Sequence, residues 1–289
     1  MQRRNFITAL SLTALTPAAM KLQSLKNIID QLPQSQRMPV IFAGHGSPMN
    51  AIEKNEYSNT WAGIGVQLPK PTAILCVSAH WQTNGTRVTA MEMPPTIHDF
   101  GGFPQELFDV QYGAPGSPQF AQQTIDVVKQ TQVVADYDWG LDHGCWSVLK
   151  PMFPDANIPV FQLSMDFYMT PQQHYDLGKE LATLRNKGVL IIGSGNIVHN
   201  LGRIQWSDTA YDWAIEFDST IKHLIDIGDH QSIINYQKLG TAAQLSIPSN
   251  EHYLPLLYTL ALKDEADGIA YFNEKVSMGS MSMRGVILG

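Results

Sequence analysis

The chain has 289 residues, of which 44% are apolar, and its 19 basic and 26 acidic side chains give a net charge of −7. This composition is typical of a folded globular chain with a sizeable core and excludes an intrinsically disordered protein. No cluster of lysine and arginine lies in the part expected to fold, which argues against nucleic acid as a partner. The length fits one large α/β domain or two smaller ones.

The N-terminal residues have the features of an export signal. Arg3 and Arg4 precede an apolar stretch, residues 6–19, that is too short to span a bilayer. The order Arg-Arg-x-Phe-Ile resembles a twin-arginine signal and predicts a periplasmic protein. An ordinary amphipathic N-terminal helix would instead leave the protein in the cytoplasm. The signal interpretation divides the chain into a signal, a polar linker and a folded domain: 1–21, 22–37 and 38–289.

Short apolar runs of strand length alternate with longer segments of helical periodicity. The predicted strands cover residues 39–43, 73–79, 159–165 and 189–193. The predicted helices cover residues 117–130, 171–186, 210–227 and 253–263. Because the strands are apolar throughout, we expect both faces of the sheet to be covered. The pattern predicts an α/β fold with a central, mostly parallel sheet flanked by helices, and residues 270–288 are expected to add an antiparallel hairpin at its edge.

Three histidines follow predicted strands. His45 comes two residues after the first run, His80 one residue after the second, and His199 six residues after "VLIIG". In an open parallel sheet, ligands bind beyond the carboxyl ends of the strands. We therefore expect these imidazoles to meet in one crevice, which would be the active site.

Two further histidines, His252 and His143, are candidates for the same crevice. His252 is expected in the first turn of a helix capped by Ser249 and Asn250, where the helix dipole favours the neutral ring that a metal needs. His143 precedes a glycine in a loop-like stretch, and its alternative is a position facing solvent. The other four are weaker candidates: His174, His223 and His230 are expected on the surface, and His98 lies in a loop that could wall a pocket.

Several common chemistries have no motif in the chain. Sites rich in imidazole suit zinc, iron or copper. The two cysteines, Cys76 and Cys145, are too few and too far apart for a thiolate site. The sequence contains no GxSxG, HExxH or GxxxxGK[ST] motif. Ser47 is a weak candidate nucleophile, because Pro48 after it favours a turn or a helix start.

Seven motifs occur in order from residue 44 to residue 257: GHGSPMN, VSAHW, TIHDFGGFP, YGAPGSP, LDHGCWSVL, GSGNIVHNL and NEHYLPLL. Together they resemble the class III extradiol ring-cleavage dioxygenase family, and specifically its 4,5-DOPA extradiol dioxygenase-like branch. The resemblance covers nearly everything from Met38 onward. It implies that residues 38–289 form a dioxygenase domain that uses O₂ to open the ring of a small, DOPA-like catechol.

The resemblance also implies roles for the histidines. His45, His80 and His252 correspond to metal ligands, and His199 lies beside the metal as the acid and base, touching the ion when no substrate is present. His143 would face the substrate. The implied working metal is Fe²⁺, and an all-histidine set is also suited to Zn²⁺ as the metal found in the purified protein. Three aromatic side chains are candidates for the walls of the pocket: Trp81, Phe100 and Phe103.

Two other functions fit the same histidines. One is a zinc-dependent hydrolase that uses metal-bound hydroxide. The other is a metal-binding interaction protein without catalytic activity.

N-terminal sequencing of the protein purified from its host tests the export prediction. We expect a mature N-terminus that follows the segment Pro17-Ala18-Ala19, because cleavage comes after the apolar stretch. An intact Met1 would contradict export.

Overall fold

The structure, a computed structural model, describes residues 37–207 and 209–289. The predicted signal, and the predicted linker up to residue 36, lie outside the described residues. Arg37 donates a hydrogen bond to the Asp267 carboxylate at 2.6 Å, so this residue lies against the folded domain. Within the described ranges, no helix is both long enough and apolar enough to cross a membrane.

The central sheet is mostly parallel, as predicted. The strands of the described residues are β1 Val40–Gly44, β2 Ala73–Ser78, β3 Gln82–Thr83, β4 Thr86–Thr89, β5 Val133–Asp136, β6 Val160–Gln162, β7 Met165–Asp166, β8 Val189–Gly195, β9 Ile269–Phe272, β10 Val276–Ser277, β11 Met281–Ser282 and β12 Gly285–Leu288. Six of them form the sheet, in the order β6-β2-β8-β1-β12-β9. The first four run parallel to one another, whereas β12 and β9 are added by antiparallel pairing.

Helices cover both faces of this sheet. Those of the described residues are α1 Glu56–Gln67, α2 Gln105–Phe108, α3 Pro118–Val127, α4 His143–Met152, α5 Pro171–Glu180, α6 Ala182–Arg185, α7 Asp212–Asp226, α8 His230–Ile234, α9 Thr241–Ser246 and α10 Leu254–Ala261. Helices α5, α7 and α10 contribute to the core on one face, and α1 and α4 to the core on the other.

Alternate residues of each central strand serve opposite cores. In β1, Phe42 joins the core that contains α10, and Ile41 joins the core that contains α4. Every residue of β1 and of β8 is buried, as expected for strands that are covered on both faces. The described chain is thus a single α/β domain.

Three predicted elements differ in detail from the structure. The predicted strand 159–165 is interrupted after Gln162 and continues as the short strand β7. The predicted helix 171–186 is divided at Leu181, whose backbone N–H bonds to the Gly178 carbonyl and tightens the chain into a turn. In the C-terminal segment β9 forms the sheet edge, but β12 lies inside the sheet, and the residues between them form a separate ribbon of β10 and β11.

The end of β8 lies against the segment that carries His252. A Cβ atom at Gly195 would lie 2.1 Å from the His252 carbonyl oxygen, and one at Gly193 would lie 2.4 Å from the Pro255 carbonyl oxygen. The same His252 carbonyl accepts a hydrogen bond from the Asn196 backbone at 2.8 Å. The two glycines of "GSGN" therefore allow this close approach, which sets the position of His252 relative to the strand ends.

Replacement of Gly195 by alanine tests this close contact. We expect Gly195→Ala to lower the free energy of unfolding by about 1–3 kcal/mol, because the methyl group would press on backbone that cannot rotate away. It should also weaken zinc binding, since His252 must move. Urea unfolding and zinc titration measure the two effects.

Gly101→Ala is the matched control, because a Cβ atom there meets no atom within 4 Å. Its free energy of unfolding should stay within about 0.5 kcal/mol of that of the parent protein. Equal effects of the two substitutions would contradict the role given to Gly195.

Candidate active site at the carboxyl ends of the strands

Five histidines line one cavity of about 500 Å³ beyond the carboxyl ends of β1, β2 and β8. They are His45, His80, His143, His199 and His252. The centroids of neighbouring rings are 3.5–5.8 Å apart. The structure therefore brings together all the histidines that the sequence singled out, whereas the individual role of each stays a prediction.

His45 presents a bare ring nitrogen to the cavity. Gly46 has φ 61°, a left-handed conformation, and turns the chain directly after the histidine. His45 Nδ1 lies 3.0 Å from Ser194 Oγ, and that hydroxyl donates its own hydrogen to the Gly144 carbonyl at 2.5 Å. Ser194 must therefore accept from His45 Nδ1–H. Because the ring is neutral, Nε2 carries a lone pair.

The His45 and His80 rings meet with their Nε2 atoms 3.2 Å apart. Two nitrogen ligands held about 2.0–2.1 Å from a tetrahedral metal ion lie about 3.3 Å from each other. The separation of this pair is thus the one that two ligands of a common ion require.

Carboxylates hold two more of the imidazoles. His252 Nδ1 lies 3.0 Å from Glu251 Oε1, and His143 Nδ1 lies 2.9 Å from Asp99 Oδ2. An ionised carboxylate only accepts, so each Nδ1 carries the hydrogen and each Nε2 a lone pair. This arrangement, in which the distal nitrogen bonds to a protein acceptor, is usual for metal-binding histidines. The residues therefore fit a bound metal ion.

His199 lies face to face with His252. Their ring centroids are 3.5 Å apart and the planes differ by 7°. The His199 backbone N–H donates to the Ser246 carbonyl, which fixes the chain on which the ring stands. Two groups of donor atoms lie within 4.8 Å of one another: His45, His80 and His143, and His199, Glu251 and His252.

Four of the five histidines that line the cavity are neutral near pH 7, namely His45, His80, His199 and His252. Burial lowers the pKa of His45 and His252 well below the ordinary value, and neighbouring imidazoles lower it further. Burial also lowers the pKa of His80 to about 3 and that of His199 to about 4. Neutral imidazole is the form that binds a metal, so metal binding near pH 7 needs no proton release from these four rings.

The expected capping of the helix near His252 is wrong. Helix α10 begins at Leu254, so His252 lies in the turn before it, and the Ser249 hydroxyl bonds to Glu251. The neutrality predicted for His252 holds, but its main cause is burial.

The loop expected around His143 is also wrong, because this residue is buried and begins helix α4, capped by the Asp142 side chain.

Two of the remaining histidines differ from expectation. His174 is fully buried and bonds to the Tyr258 hydroxyl at 2.9 Å, so its predicted surface position is wrong. His98 does not line the cavity: its Nε2 donates to the Val110 carbonyl at 2.9 Å, and its ring packs behind Phe100. His223 is exposed as expected, and His230 is half-buried.

The aromatic candidates also divide. Phe100 and Phe103 line the cavity, whereas Trp81 is buried and stacks on Trp139 away from it. Ser47 caps a 3₁₀ helix, Pro48–Ala51, and accepts from the Met49 backbone, as its position before a proline favours.

Sequence reasoning missed Ser194 and Asp99 as partners of the site. Ser194 lies in the motif "GSGNIVHNL", in which the sequence pointed to His199 instead. Asp99 lies in the motif "TIHDFGGFP", in which the neighbouring His98 was the predicted candidate for the pocket wall. The usable signal is a polar residue close to glycines in a motif that also carries a histidine, as in TIHDFGGFP and GSGNIVHNL.

Comparison with known proteins identifies the class. Residues 39–285 match the family described as the catalytic LigB subunit of aromatic ring-opening dioxygenase. The chain belongs to this family, which confirms the class III extradiol ring-cleavage dioxygenases as its class, and it is an extradiol ring-cleavage dioxygenase.

Its relatives place it in the 4,5-DOPA extradiol dioxygenase-like branch. A protein from Escherichia coli (strain K12) named 4,5-DOPA dioxygenase extradiol is 47% identical over 268 residues, which cover 90% of this chain and 98% of that protein. A protein of the same name from Beta vulgaris is 36% identical, over 83% of this chain and 92% of its own length. The crystal structure of an uncharacterized protein from Escherichia coli K12 superimposes with a TM-score of 0.77 at 42% identity, covering 88% of this chain and 100% of that one.

Replacement of Ser194 by alanine tests whether the hydroxyl sets the protonation of His45. We expect Ser194→Ala to weaken zinc binding about 10–100-fold, the usual cost of losing a partner behind a metal ligand. Competition with a chromophoric chelator measures the dissociation constant. The matched control is Ser147→Ala, because the buried Ser147 hydroxyl has no hydrogen-bond partner among the described residues. Unchanged zinc affinity in Ser194→Ala would contradict the assignment.

Proposed function

We propose that this protein binds a metal ion through its clustered histidines and opens the ring of a small, DOPA-like catechol beside the diol, with both atoms of O₂ entering the product. The observation that carries the proposal is the set of imidazoles whose Nδ1 atoms bond to protein acceptors while their Nε2 lone pairs face one cavity. Ser194, Glu251 and Asp99 are those acceptors.

Fe²⁺ is proposed as the working metal, with His45, His80 and His252 as its ligands and His199 close to it. When bound, Fe²⁺ supplies adjacent positions for the two catechol oxygens and for O₂. Because the site consists of imidazoles, Zn²⁺ also fits it, and we expect zinc in protein purified without added iron.

The cavity walls suit a flat aromatic ring. Phe100, Phe103, Leu201, Ile204, Met278 and Met281 are among the lining residues. These side chains exclude water from a bound ring and leave the imidazoles as its polar neighbours. The cavity adjoins a wider cleft of about 800 Å³, and both are lined by Phe103 and Trp206. This cleft gives room for a substituent on the catechol, which supports a substrate larger than catechol itself.

Proton transfer is assigned to His199, with His143 facing the substrate. Burial keeps the His199 ring neutral near pH 7, so it can accept a proton from a catechol hydroxyl. Neither of its ring nitrogens has a hydrogen-bond partner among the described residues, and the ring lines the cavity. A neutral imidazole that faces the substrate can both take and return a proton.

The comparisons favour neither of the alternatives, the zinc hydrolase and the interaction protein without activity. The relatives named above carry the name of a dioxygenase. Location in the periplasm stays a prediction from the N-terminal sequence.

Anaerobic reconstitution with Fe²⁺, followed by addition of air and a series of substituted catechols, tests the proposal. We expect a yellow ring-opened product and one O₂ consumed per catechol, with both labelled atoms of ¹⁸O₂ in the product. His199→Gln should lower kcat by about 10²–10⁴-fold, the usual contribution of an acid–base group. His223→Gln, at an exposed position, is the matched control and should leave kcat unchanged.

Two results would contradict the proposal. One is the absence of turnover with every catechol by protein shown to contain Fe²⁺. The other is turnover of an ester or amide with Zn²⁺ and without O₂, which would favour the hydrolase.

A further inference from the structure

Asp99 contacts two histidines of the site with a single carboxylate. We propose that Asp99 is a positioning residue that fixes the protonation of His80 and of His143 together, so that the metal-binding ring and the substrate-facing ring adopt their working forms as a pair. The roles of the two histidines rest on the proposed function, whereas the contacts of Asp99 do not.

The two oxygens of Asp99 have different partners. Oδ1 accepts the backbone N–H of His143 at 2.8 Å. Oδ2 accepts the ring Nδ1–H of His143 at 2.9 Å, and the same oxygen lies 3.4 Å from His80 Nδ1. The His80 and His143 rings are themselves close, with centroids 3.8 Å apart. One oxygen therefore faces the Nδ1 atoms of both rings.

The carboxylate also fits the helix on which His143 stands. His143 is the first residue of α4, a helix of ten residues, and its backbone N–H is one of those that have no acceptor within the helix. A negative charge at a helix N-terminus is stabilised by the aligned peptide dipoles. These contacts hold Asp99 in place from the main chain, independently of either ring.

The protonation of His80 follows from the groups on its two sides. Asp99 on the Nδ1 side favours a hydrogen on Nδ1, which leaves Nε2 with a lone pair. That lone pair then faces the lone pair of His45 Nε2 at 3.2 Å. Two facing lone pairs repel each other unless a cation binds between them, so this form of His80 favours a metal ion.

The alternative form of His80, with its hydrogen on Nε2, would form a hydrogen bond with His45 in the absence of a metal ion. With its hydrogen on Nε2, His80 would donate to His45 Nε2, and its bare Nδ1 would then face the Asp99 carboxylate, which repels it. Asp99 thus penalises the form that closes the site and favours the form that binds metal. For His143 the same oxygen directs the Nε2 lone pair toward the cavity.

Replacement of Asp99 by asparagine keeps the shape of the side chain but removes its charge and one of its two acceptor oxygens. Asparagine keeps an oxygen that can accept from the His143 backbone, but it presents an NH₂ group to the two Nδ1 atoms. In zinc-loaded protein with ¹⁵N-labelled histidine, we expect the Nδ1 and Nε2 shifts of His143 to change toward those of a ring with its hydrogen on Nε2. His80→Gln and His143→Gln spectra assign the signals. We also expect zinc affinity to fall about 10–100-fold.

Two further variants complete the experiment. Asp109→Asn is the matched control: this carboxylate is exposed and bonds to Gln105, so the shifts and the zinc affinity should not change. Asp99→Glu keeps the carboxylate and should restore most of the affinity and the His143 signature. Far-ultraviolet circular dichroism and thermal unfolding check that each variant is folded. If Asp99→Asn does not fold, Asp99→Glu tests the proposal by comparison with the parent protein.

The outcomes divide clearly. Unchanged histidine shifts and unchanged zinc affinity in folded Asp99→Asn would overturn the proposal, whether or not the parent protein opens catechols. A folded Asp99→Glu variant that binds zinc about 10-fold or more weakly than the parent protein would also overturn it, whether or not Asp99→Asn folds. Shifted signals and weaker zinc binding in a protein whose parent turns over no catechol would support the role of Asp99 and contradict only the proposed function. If the parent protein opens catechols, Asp99→Asn should lower kcat about 10–100-fold with little change in KM.

Discussion

The site depends on one constraint: a neutral imidazole binds metal through one nitrogen only if the hydrogen is held on the other. At this site the hydrogen is held by acceptors from three different parts of the chain, since Ser194 lies at the end of β8, Glu251 in the turn before α10, and Asp99 in a loop. Ser194 and Asp99 each bond to a ring from a distant part of the chain, whereas Glu251 bonds to the ring of the next residue, His252. The fold therefore serves the site mainly by placing these acceptors behind the rings.

Burial and neutrality reinforce each other at this cavity. Imidazoles this close together would repel strongly if they were protonated, and burial opposes the protonation of His45 and His252. A metal ion is the positive charge that such a cluster of lone pairs can accept. The same burial gives the cavity its apolar walls, so a flat aromatic molecule and a metal ion can share it.

The sequence indicated much of the fold, because the central strands are buried on both faces and so read as continuous apolar runs. It also indicated the histidines of the site, since residues after parallel strands meet at one edge of the sheet. It did not indicate two of the acceptors behind them, Ser194 and Asp99. His45 and Ser194 are 149 residues apart, and His143 and Asp99 are 44 residues apart, so no local pattern links them. His174 was misplaced for the same reason: the polar residues beside it in sequence gave no sign of Tyr258, 84 residues away.

The position of β12 has a consequence for the order in which the molecule is built. Strand β1, which leads to His45, lies between β8 and β12, and both neighbours come much later in the chain. Contacts between distant segments form slowly because a long loop must close first. During synthesis β1 therefore waits, with both edges unpaired, until β8 and then Gly285–Leu288 have been made. The five histidines that line the cavity can therefore lie together only after residue 252 has been made, and β1 gains its second neighbour in the sheet only with Gly285–Leu288.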